Sequence, residues 1–184
     1  MTQYYLPWLL EKINRNEPPK FLFFWGHQPA KDGQITASCF SQWWESSPFV
    51  VAGITYTSAE HWMMAQKALL FDDQATFDQI ITAKTPAEAK KLGRAVQNFD
   101  QTLWEEKRFE LVATGTVHKF GQHPALKTFL INTQDRVLVE ASPVDPIWGI
   151  GLAASDPMVQ DPKQWKGLNL LGFALMAARD ILRS

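Results

Sequence analysis

An uninterrupted segment, residues 57–70, contains neither Gly nor Pro and directly follows a hairpin-like segment, residues 49–56. Thr57 or Ser58 can cap the first turn of a helix at this point, because a side-chain hydroxyl accepts hydrogen bonds from the free backbone N–H groups. A helix that begins straight after two strands requires a fold that combines both kinds of element. The segment therefore predicts that helices and strands pack together in one domain.

Glu60, in the first turn of this predicted helix, has two interpretations. In the first, Thr57–Glu60 forms a capping box, and the carboxylate bonds back to the backbone N–H of Thr57. In the second, the carboxylate serves a ligand, since the helix dipole favours its ionised form and helical spacing places Met64 and Lys67 on the same face. Lys67 lies about 10 Å farther along the helix axis. We therefore expect the two charges to contact different parts of one ligand.

The composition is that of an ordinary soluble globular protein, with 46% hydrophobic and 20% charged residues among 184. This length suits one domain with a substantial core and would be cramped for two. The formal net charge of −1 argues against a general nucleic-acid or anionic-membrane surface, although it allows a local basic pocket.

Nothing in the sequence indicates a membrane or an oxidising compartment. The single cysteine, Cys39, cannot form an intramolecular disulfide, and we interpret it as a small buried apolar residue. No apolar run approaches the roughly 20 residues that span a bilayer, and Pro7, Glu11 and Lys12 interrupt any signal-peptide core. We therefore expect a cytoplasmic location.

The remaining periodicity predicts several helices and a few short strands. Further helices are predicted at residues 6–14, 72–83 and 170–182, with three more helix starts at Thr85, Asp100 and Pro124. Predicted strands are residues 21–25, 35–40 and 136–141, besides a hairpin that turns at Ala52-Gly53. The predicted fold class is α+β: a predominantly helical single domain, residues 21–184, with a small antiparallel sheet and an N-terminal helical extension, residues 1–20.

Several familiar catalytic arrangements are absent from the sequence. It has no Gly-rich phosphate loop with a following Lys, and no nucleophile elbow. Helical pairing of a zinc-binding kind is also lacking among the four histidines, so we expect no metal site; these are His27, His61, His118 and His123. What remains is a set of acids, tryptophans and cations near the junctions between loops and helices.

The loop after the last predicted strand carries Asp145 and Trp148, three residues apart, followed by Gly149. Loops on a rigid scaffold often present functional groups. The alternative is that Asp145 caps a turn before Pro146 and that Trp148 fills a gap in the core. Candidate contacts for an anion or phosphate are cations on predicted helices, although each alone could be a solvated charge; these are Lys67, Arg94 and Arg108.

A carboxylate near aromatic faces and cations suits the cleavage of an N-glycosidic bond. The transition state resembles an oxocarbenium ion, which a carboxylate stabilises, and the same group can activate water. A planar leaving base stacks on a ring such as Trp148 or Trp104, and a sugar phosphate pairs with Lys or Arg. The residue types make this reaction plausible without selecting it.

The chain resembles the NADAR family of YbiA-like N-glycosidases in a series of blocks that run in family order from about Phe21 to the C-terminus. As a set these blocks are specific. They are Ser47-Pro48-Phe49-Val50-Val51, Thr57-Ser58-Ala59-Glu60-His61-Trp62-Met63-Met64-Ala65-Gln66-Lys67, Ala89-Lys90-Lys91-Leu92-Gly93-Arg94, Trp104, Arg108, Lys119-Phe120, Glu140-Ala141-Ser142-Pro143-Val144-Asp145-Pro146-Ile147-Trp148-Gly149-Ile150-Gly151 and Trp165-Lys166-Gly167-Leu168-Asn169-Leu170-Leu171-Gly172.

This resemblance implies an α+β domain without a metal or redox cofactor. It implies hydrolysis of phosphoribosylamino-pyrimidine intermediates of early riboflavin biosynthesis; the alternatives are removal of ADP-ribose from guanine bases and non-catalytic binding of ADP-ribose or a related nucleotide derivative. The expected partner is a small phosphorylated N-glycoside. ADP-ribosylated nucleic acid is an alternative partner, and no membrane is expected. The implied catalytic residues are Glu60 and Asp145, and the implied substrate-binding residues are Trp148, Trp104, Lys67, Arg94, Gly149 and Asn169.

Two departures from the family pattern concern specificity more than reaction type. Short family members typically read Leu-Ser-Asn-Phe where this chain has Phe40-Ser41-Gln42-Trp43. Gln42 offers the same amide as Asn from one methylene farther out. The loop from Gly26 to Cys39 is also longer than in the smallest members.

Overall fold

The computed structural model describes residues 4–184, and these form seven α-helices and four short strands. The helices are α1 (Leu6–Asn14), α2 (Ala59–Leu70), α3 (Gln74–Ile81), α4 (Pro86–Arg94), α5 (Gln101–Gln122), α6 (Pro124–Ile131) and α7 (Leu170–Arg183). The strands are β1 (Phe21–Phe24), β2 (Phe49–Val51), β3 (Ile54–Tyr56) and β4 (Val137–Glu140). The first three residues of the predicted N-terminal extension lie outside the described residues.

Two separate pairs of strands replace the one small sheet that the sequence predicted. β2 and β3 form the expected antiparallel hairpin, whose turn residues Ala52 and Gly53 both have positive φ, at 50° and 80°. Two positive φ values in a two-residue turn match the twist of the flanking strands. β1 and β4 pair in parallel, with Phe21 opposite Val137 and Phe24 opposite Glu140. The α+β class and the hairpin are confirmed, and the parallel pair is an addition.

The predicted strand at residues 35–40 is wrong, because Ala37–Phe40 form a 3₁₀ helix. The buried ammonium of Lys119 explains this conformation. Its Nζ donates to the carbonyl oxygens of Cys39 at 2.7 Å and Ser41 at 3.1 Å. A tight turn aims both carbonyls at one donor, whereas an extended strand directs them to a neighbouring strand. Cys39 itself is fully buried, as predicted.

Three of the helix starts that the sequence predicted are confirmed by their side-chain caps. The Ser58 hydroxyl accepts from the backbone N–H of His61 at the start of α2, and the Thr85 hydroxyl accepts from Glu88 N at 3.2 Å at the start of α4. Asp100 caps α5 in the same way. α3 is shorter than the predicted 72–83, because Asp73 is its cap and its Oδ1 accepts from Thr76 N at 3.0 Å.

The start of α7 and the end of β4 are joined by Asn169, which is fully buried and has a φ of 55°. Its side-chain Oδ1 accepts from Glu140 N at 3.0 Å, and its Nδ2 donates to Leu138 O at 2.9 Å. Gly172 allows this contact, since a Cβ there would lie 2.0 Å from Leu138 O. The apolar helix α7 is thereby anchored at the centre of the core, as its sequence predicted.

α1 is attached to this core rather than separate from it. Leu9 is fully buried, and the Trp8 ring contacts the Phe173 ring of α7 edge to face, with centroids 6.4 Å apart. Aromatic pairs in this geometry favour association beyond the apolar area that they bury. The N-terminal extension therefore packs on the core through its own helix.

α2 and α5 approach each other closely at Gly115. A Cβ at this position would lie 2.2 Å from Cδ1 and 2.5 Å from Nε1 of Trp62, whose indole donates to Leu111 O at 2.8 Å. We expect Gly115→Ala to lower the free energy of unfolding by about 1–3 kcal/mol, because the ring must leave its place. Urea denaturation of both proteins measures this difference.

Gly121→Ala on the same helix is the matched control. A Cβ at Gly121 meets only Leu182 Cδ2, at 3.3 Å, near the end of α7. Alanine also gains roughly 0.5–1 kcal/mol over glycine inside a helix. We expect the free energy of unfolding of this control to lie within about 1 kcal/mol of the wild-type value. An equal response of the two variants would contradict the close approach at Gly115.

Candidate active site

A cleft of about 440 Å³ opens between α2, α4, α5 and the loop after β4. Its wall carries charged groups of both signs and several rings, an unusual concentration for one surface of a small domain. Its acids are Glu60, Glu140 and Asp145; its cations are Lys67, Lys90, Arg94 and Arg108; its rings are Trp43, Phe99, Trp104 and Trp148. The face of α2 predicted from helical spacing lines this cleft with Glu60, Met64 and Lys67.

Glu60 occupies the second position of α2, because Ser58 is the cap. Its backbone N–H donates to Gln42 O at 2.9 Å, and its side chain is 2% exposed. The carboxylate oxygen Oε1 has no hydrogen-bond partner among the described residues. The capping box is therefore not formed, and the side chain faces the cleft instead of the Thr57 backbone.

The pKa of Glu60 is raised to about 7. Burial is the main cause, because desolvation disfavours the charged form. The positive charge of Lys90 and a hydrogen bond from the Trp43 side chain oppose it, Asp145 adds to it, and Arg94 lowers the pKa slightly. Glu60 therefore changes its protonation state near neutral pH, where a general base is most useful.

Glu140, the last residue of β4, is a site residue that the sequence prediction missed. Its Oε2 is buried without a hydrogen-bond partner among the described residues. Burial raises its pKa to about 8, with the charges of Asp145 and Glu60 adding to the effect and Lys90 opposing it. A signal was present, since an acid ends an apolar strand directly before the glycine-containing loop.

Lys67 is held at the cleft by contacts that leave its charge available. Its Nζ donates to Gly93 O at 2.7 Å and lies 4.2 Å from the centre of the Phe99 ring. Trp104 is a second ring beneath it, at 5.6 Å. Burial lowers the pKa of this lysine. A direct pair with Glu60 is not formed, as its separation along the helix predicted.

Arg108 is a buried cation with one long ion pair among the described residues. Its side chain is 9% exposed, and the nearest carboxylate in the described chain, Glu105, lies 3.9 Å away. Its Nε has no hydrogen-bond partner among the described residues. A buried donor on a charged group is costly unless a partner is supplied. An anion in the cleft would supply one.

The loop after β4 places Asp145 and Trp148 on the cleft wall. Oδ1 of Asp145 accepts from Ile147 N at 2.9 Å and Trp148 N at 2.8 Å, so this residue also caps the turn. The two interpretations of Asp145 are therefore compatible. Trp148 is half-buried and its backbone is held by this turn. Trp104, almost fully buried, lines the same cleft from α5.

Two of the predicted substrate-binding residues, Gly149 and Asn169, are not among the residues that line the cleft. Both amide atoms of Asn169 are bonded to the backbone of β4. Gly149 is packed against backbone, since a Cβ there would lie 2.9 Å from Glu140 O and 3.0 Å from Asp145 O. Both residues contact the backbone of Glu140, which lines the cleft.

Trp43 and Lys90 were also missed as site residues. Lys90 lies 5.8 Å from the centre of the Trp43 ring and precedes Arg94 by one helical turn on α4. The His27 ring, from the loop between Gly26 and Cys39, also contacts Trp43, with ring centroids 5.6 Å apart. Adjacent tryptophans and an i, i+4 pair of cations were visible in the sequence. The sequence does not show that these residues share a cleft with Glu60, because they lie far from it along the chain.

The cleft unites ionisable acids, cations and rings without a metal-binding group. Across residues 4–184, His, Cys, Asp and Glu side chains form no group of three that could hold a metal ion. Within the same range, no helix combines the length and hydropathy needed to cross a membrane. The fold and cleft define an α+β domain whose site suits acid–base chemistry on an anionic, ring-containing ligand.

Comparison with known proteins agrees with this class. The NADAR domain family matches residues 23–183. N-glycosidase R617 of Acanthamoeba polyphaga mimivirus is 40% identical over 172 residues, which cover 89% of this chain and 97% of the viral protein. The NMR structure of YbiA from Escherichia coli superimposes with a TM-score of 0.71 at 26% identity, covering 90% of this chain and 86% of YbiA. The chain therefore belongs to the NADAR family and, with these relatives, to the N-glycosidases.

A third relative has a name that indicates a pathway. The maize chloroplast riboflavin biosynthesis protein PYRR is 33% identical over 132 residues. The match covers 68% of this chain but only 19% of the maize protein. A domain of this family is thus one part of that longer protein.

The raised pKa of Glu60 predicts a pH-dependent stability. The protonated form is favoured on folding, so its contribution is complete below about pH 4.5 and is lost as the pH rises through about 7. We expect Glu60→Gln, which cannot ionise, to become more stable relative to wild type by on the order of 2 kcal/mol between pH 5.5 and pH 8.5. Urea denaturation at both pH values measures this.

Glu110→Gln is the control, because Glu110 is exposed on α5 and outside the cleft. We expect the difference in free energy of unfolding between Glu110→Gln and wild type to be the same at both pH values. A Glu60→Gln variant that behaves like this control would show that Glu60 ionises as an ordinary surface carboxylate.

Proposed function

We propose that this enzyme hydrolyses the N-glycosidic bond of phosphoribosylamino-pyrimidines, intermediates of early riboflavin biosynthesis, and releases ribose 5-phosphate. The observation that carries the proposal is the buried carboxylate of Glu60, which faces a cleft lined by rings and cations and whose Oε1 has no hydrogen-bond partner within residues 4–184. Family membership and the pathway in the name of the maize relative support the choice of substrate.

Glu60 is the residue proposed to act on the sugar. When the C1′–N bond breaks, positive charge develops at C1′ and the ring oxygen. A carboxylate in a water-poor cleft stabilises that charge more strongly than it would in bulk water. The same carboxylate can remove a proton from the attacking water. The pKa of about 7 leaves much of Glu60 ionised at neutral pH.

The rings of the cleft are proposed to hold the pyrimidine. Trp148 and Trp104 both line the cleft, and a planar base gains roughly 1–3 kcal/mol from stacking on an aromatic ring. Asp145 is proposed to fix Trp148 through the turn that it caps. It also adds negative charge near Glu60 and is retained as a second catalytic candidate.

The cations are proposed to hold the sugar phosphate. Lys67, Arg94 and Arg108 lie on three helices around one cleft, and Arg108 Nε has no partner of its own in the described chain. Guanidinium groups match the geometry of phosphate oxygens and bind them in pairs. A phosphate at this wall leaves the sugar between the cations and the acids.

A second candidate function is the removal of ADP-ribose from guanine bases. Four cations line the cleft, which is more positive charge than one monophosphate needs, and Arg94 is exposed. A diphosphate could use the surplus. A binding module without catalysis explains the cations and rings equally well, but it gives no reason for a buried carboxylate whose Oε1 has no hydrogen-bond partner among the described residues. Mass spectrometry of products after incubation with each glycoside separates the three.

We expect Glu60→Gln to lower kcat on the pyrimidine substrate by roughly 10²- to 10⁴-fold, because the amide neither stabilises positive charge nor accepts a proton. Release of ribose 5-phosphate is the measurement. Substrate binding by the variant, followed by calorimetry, should stay within a few-fold of wild type. Glu110→Gln is the control with normal turnover. Wild-type kcat in Glu60→Gln would remove Glu60 from the reaction.

We expect Arg94→Gln to reduce kcat/KM on the phosphorylated substrate by roughly 10- to 100-fold, since a charge-assisted hydrogen bond is worth about 1.5–3 kcal/mol. On the same substrate without its phosphate, the variant and wild type should agree within about three-fold. Lys91→Gln is the matched control, because Lys91 is exposed on α4 and does not line the cleft. Equal losses on both substrates would place the phosphate elsewhere.

A further inference from the structure

Buried side-chain atoms without hydrogen-bond partners concentrate at the cleft. The described residues contain four such atoms, and three belong to the cleft: Glu60 Oε1, Glu140 Oε2 and Arg108 Nε. Folded proteins rarely leave such groups unpaired, because burial removes the hydrogen bonds that each would make with water. The Arg108 and Glu60 atoms have roles in the reaction described above. Glu140 has none there, although it lines the same cleft.

Glu60 and Glu140 are held in different electrostatic surroundings. Glu60 lies in the first turn of α2, where the helix dipole favours a negative charge, and both Lys90 and Arg94 attract it. Glu140 lies at the end of a strand, with Asp145 and Glu60 repelling its charge and Lys90 alone opposing them. Two acids in one cleft with such unequal surroundings separate into a carboxylate and a neutral acid. The surroundings of Glu140 favour the neutral acid more than those of Glu60 do.

The position of Glu140 is fixed by the backbone around it. Its N–H donates to the Asn169 amide, and the residue is paired with Phe24 across the parallel strands. Gly149 closes over its carbonyl, leaving no room for a Cβ. A proton donor must be held within reach of the atom that it protonates, and these contacts provide that rigidity.

We propose that Glu140 is the general acid of this site and delivers its proton to the leaving nitrogen of the glycoside while Glu60 receives a proton from water. This inference rests on the proposed function and adds the second half of the acid–base pair. The class of substrate follows from it: a glycoside whose base is a poor leaving group until its nitrogen is protonated.

The proposed step is balanced without a cofactor. The C1′–N bond breaks, its electron pair goes to nitrogen, and nitrogen takes the proton of Glu140. Water adds its oxygen to C1′, and the proton that it loses goes to Glu60. The reaction leaves Glu60 protonated and Glu140 ionised. Transfer of the proton from Glu60 to Glu140 restores the starting state, and one water is consumed overall.

The test compares two N-ribosides that carry the same 5-phosphate. The pyrimidine substrate needs protonation of its leaving nitrogen, whereas nicotinamide riboside 5′-phosphate already carries positive charge on that nitrogen and releases neutral nicotinamide. We expect Glu140→Gln to lose at least roughly 100-fold in kcat on the pyrimidine and less than roughly 10-fold on the nicotinamide compound. Glu60→Gln should lose activity on both, and Glu140→Asp should recover part of the pyrimidine activity.

The pH profile of wild type is a second readout that needs no variant. The charged groups that line the cleft with Glu140 are Glu60 and Lys67 from α2, Lys90 and Arg94 from α4, Arg108 from α5 and Asp145 from the loop. We expect kcat on the pyrimidine to fall as the pH rises above about 8, where Glu140 loses its proton. Glu140→Gln should remove this alkaline decline from its residual activity.

The outcomes test the role of Glu140 and the proposed function separately. Equal losses in Glu140→Gln on the two ribosides, or an alkaline decline that survives the substitution, would overturn the role of Glu140. If wild type hydrolyses only the pyrimidine, the pH profile decides alone. Wild type that releases sugar from neither riboside would overturn the proposed function itself.

Discussion

The amide of Asn169 ties the first turn of α7 to the last residues of β4, and the geometry of the cleft depends on this contact. The buried Asn169 side chain donates from Nδ2 to Leu138 O and accepts at Oδ1 from Glu140 N. Gly172 leaves room for the two backbones to approach each other. Because Glu140 ends the strand, any displacement of α7 moves an acid in the cleft. A residue that resembled a ligand contact in sequence thus serves the site through the fold.

The cleft carries an electrostatic cost that the rest of the domain offsets. Two buried acids and a buried guanidinium have atoms without partners, while the caps of α2, α4 and α5 are satisfied and the core around α7 is closely packed. The helix caps and the core packing stabilise the fold without depending on the cleft. Three of the four unpaired buried atoms in the described residues therefore lie where a ligand can supply a partner.

Local signals predicted most of the fold, and long-range contacts account for what they missed. Caps such as Ser58 and Thr85 act within four residues, so the sequence shows them directly. The parallel pairing of β1 with β4 joins residues more than a hundred positions apart and leaves no local pattern. Residues 35–40 have the local pattern of a strand. The donor that binds them in a turn, Lys119, lies far along the chain, so the pattern does not show it. The raised pKa of Glu140 is likewise hidden in the sequence, because burial causes most of it and the charges of Asp145 and Glu60 add to it.

Lys90 connects substrate binding to the protonation of the acids. Its charge lowers the pKa of both Glu60 and Glu140, and it also lines the wall proposed to hold a phosphate. A phosphate paired with Lys90 would neutralise that charge and add a negative one, and both changes raise the proton affinity of the nearby carboxyls. The pKa of Glu140 would rise together with that of Glu60, although Lys90 is the smallest of the influences on Glu140. A phosphorylated substrate would then strengthen the neutral state of the acid that must protonate its base, whereas a ligand without a phosphate would not.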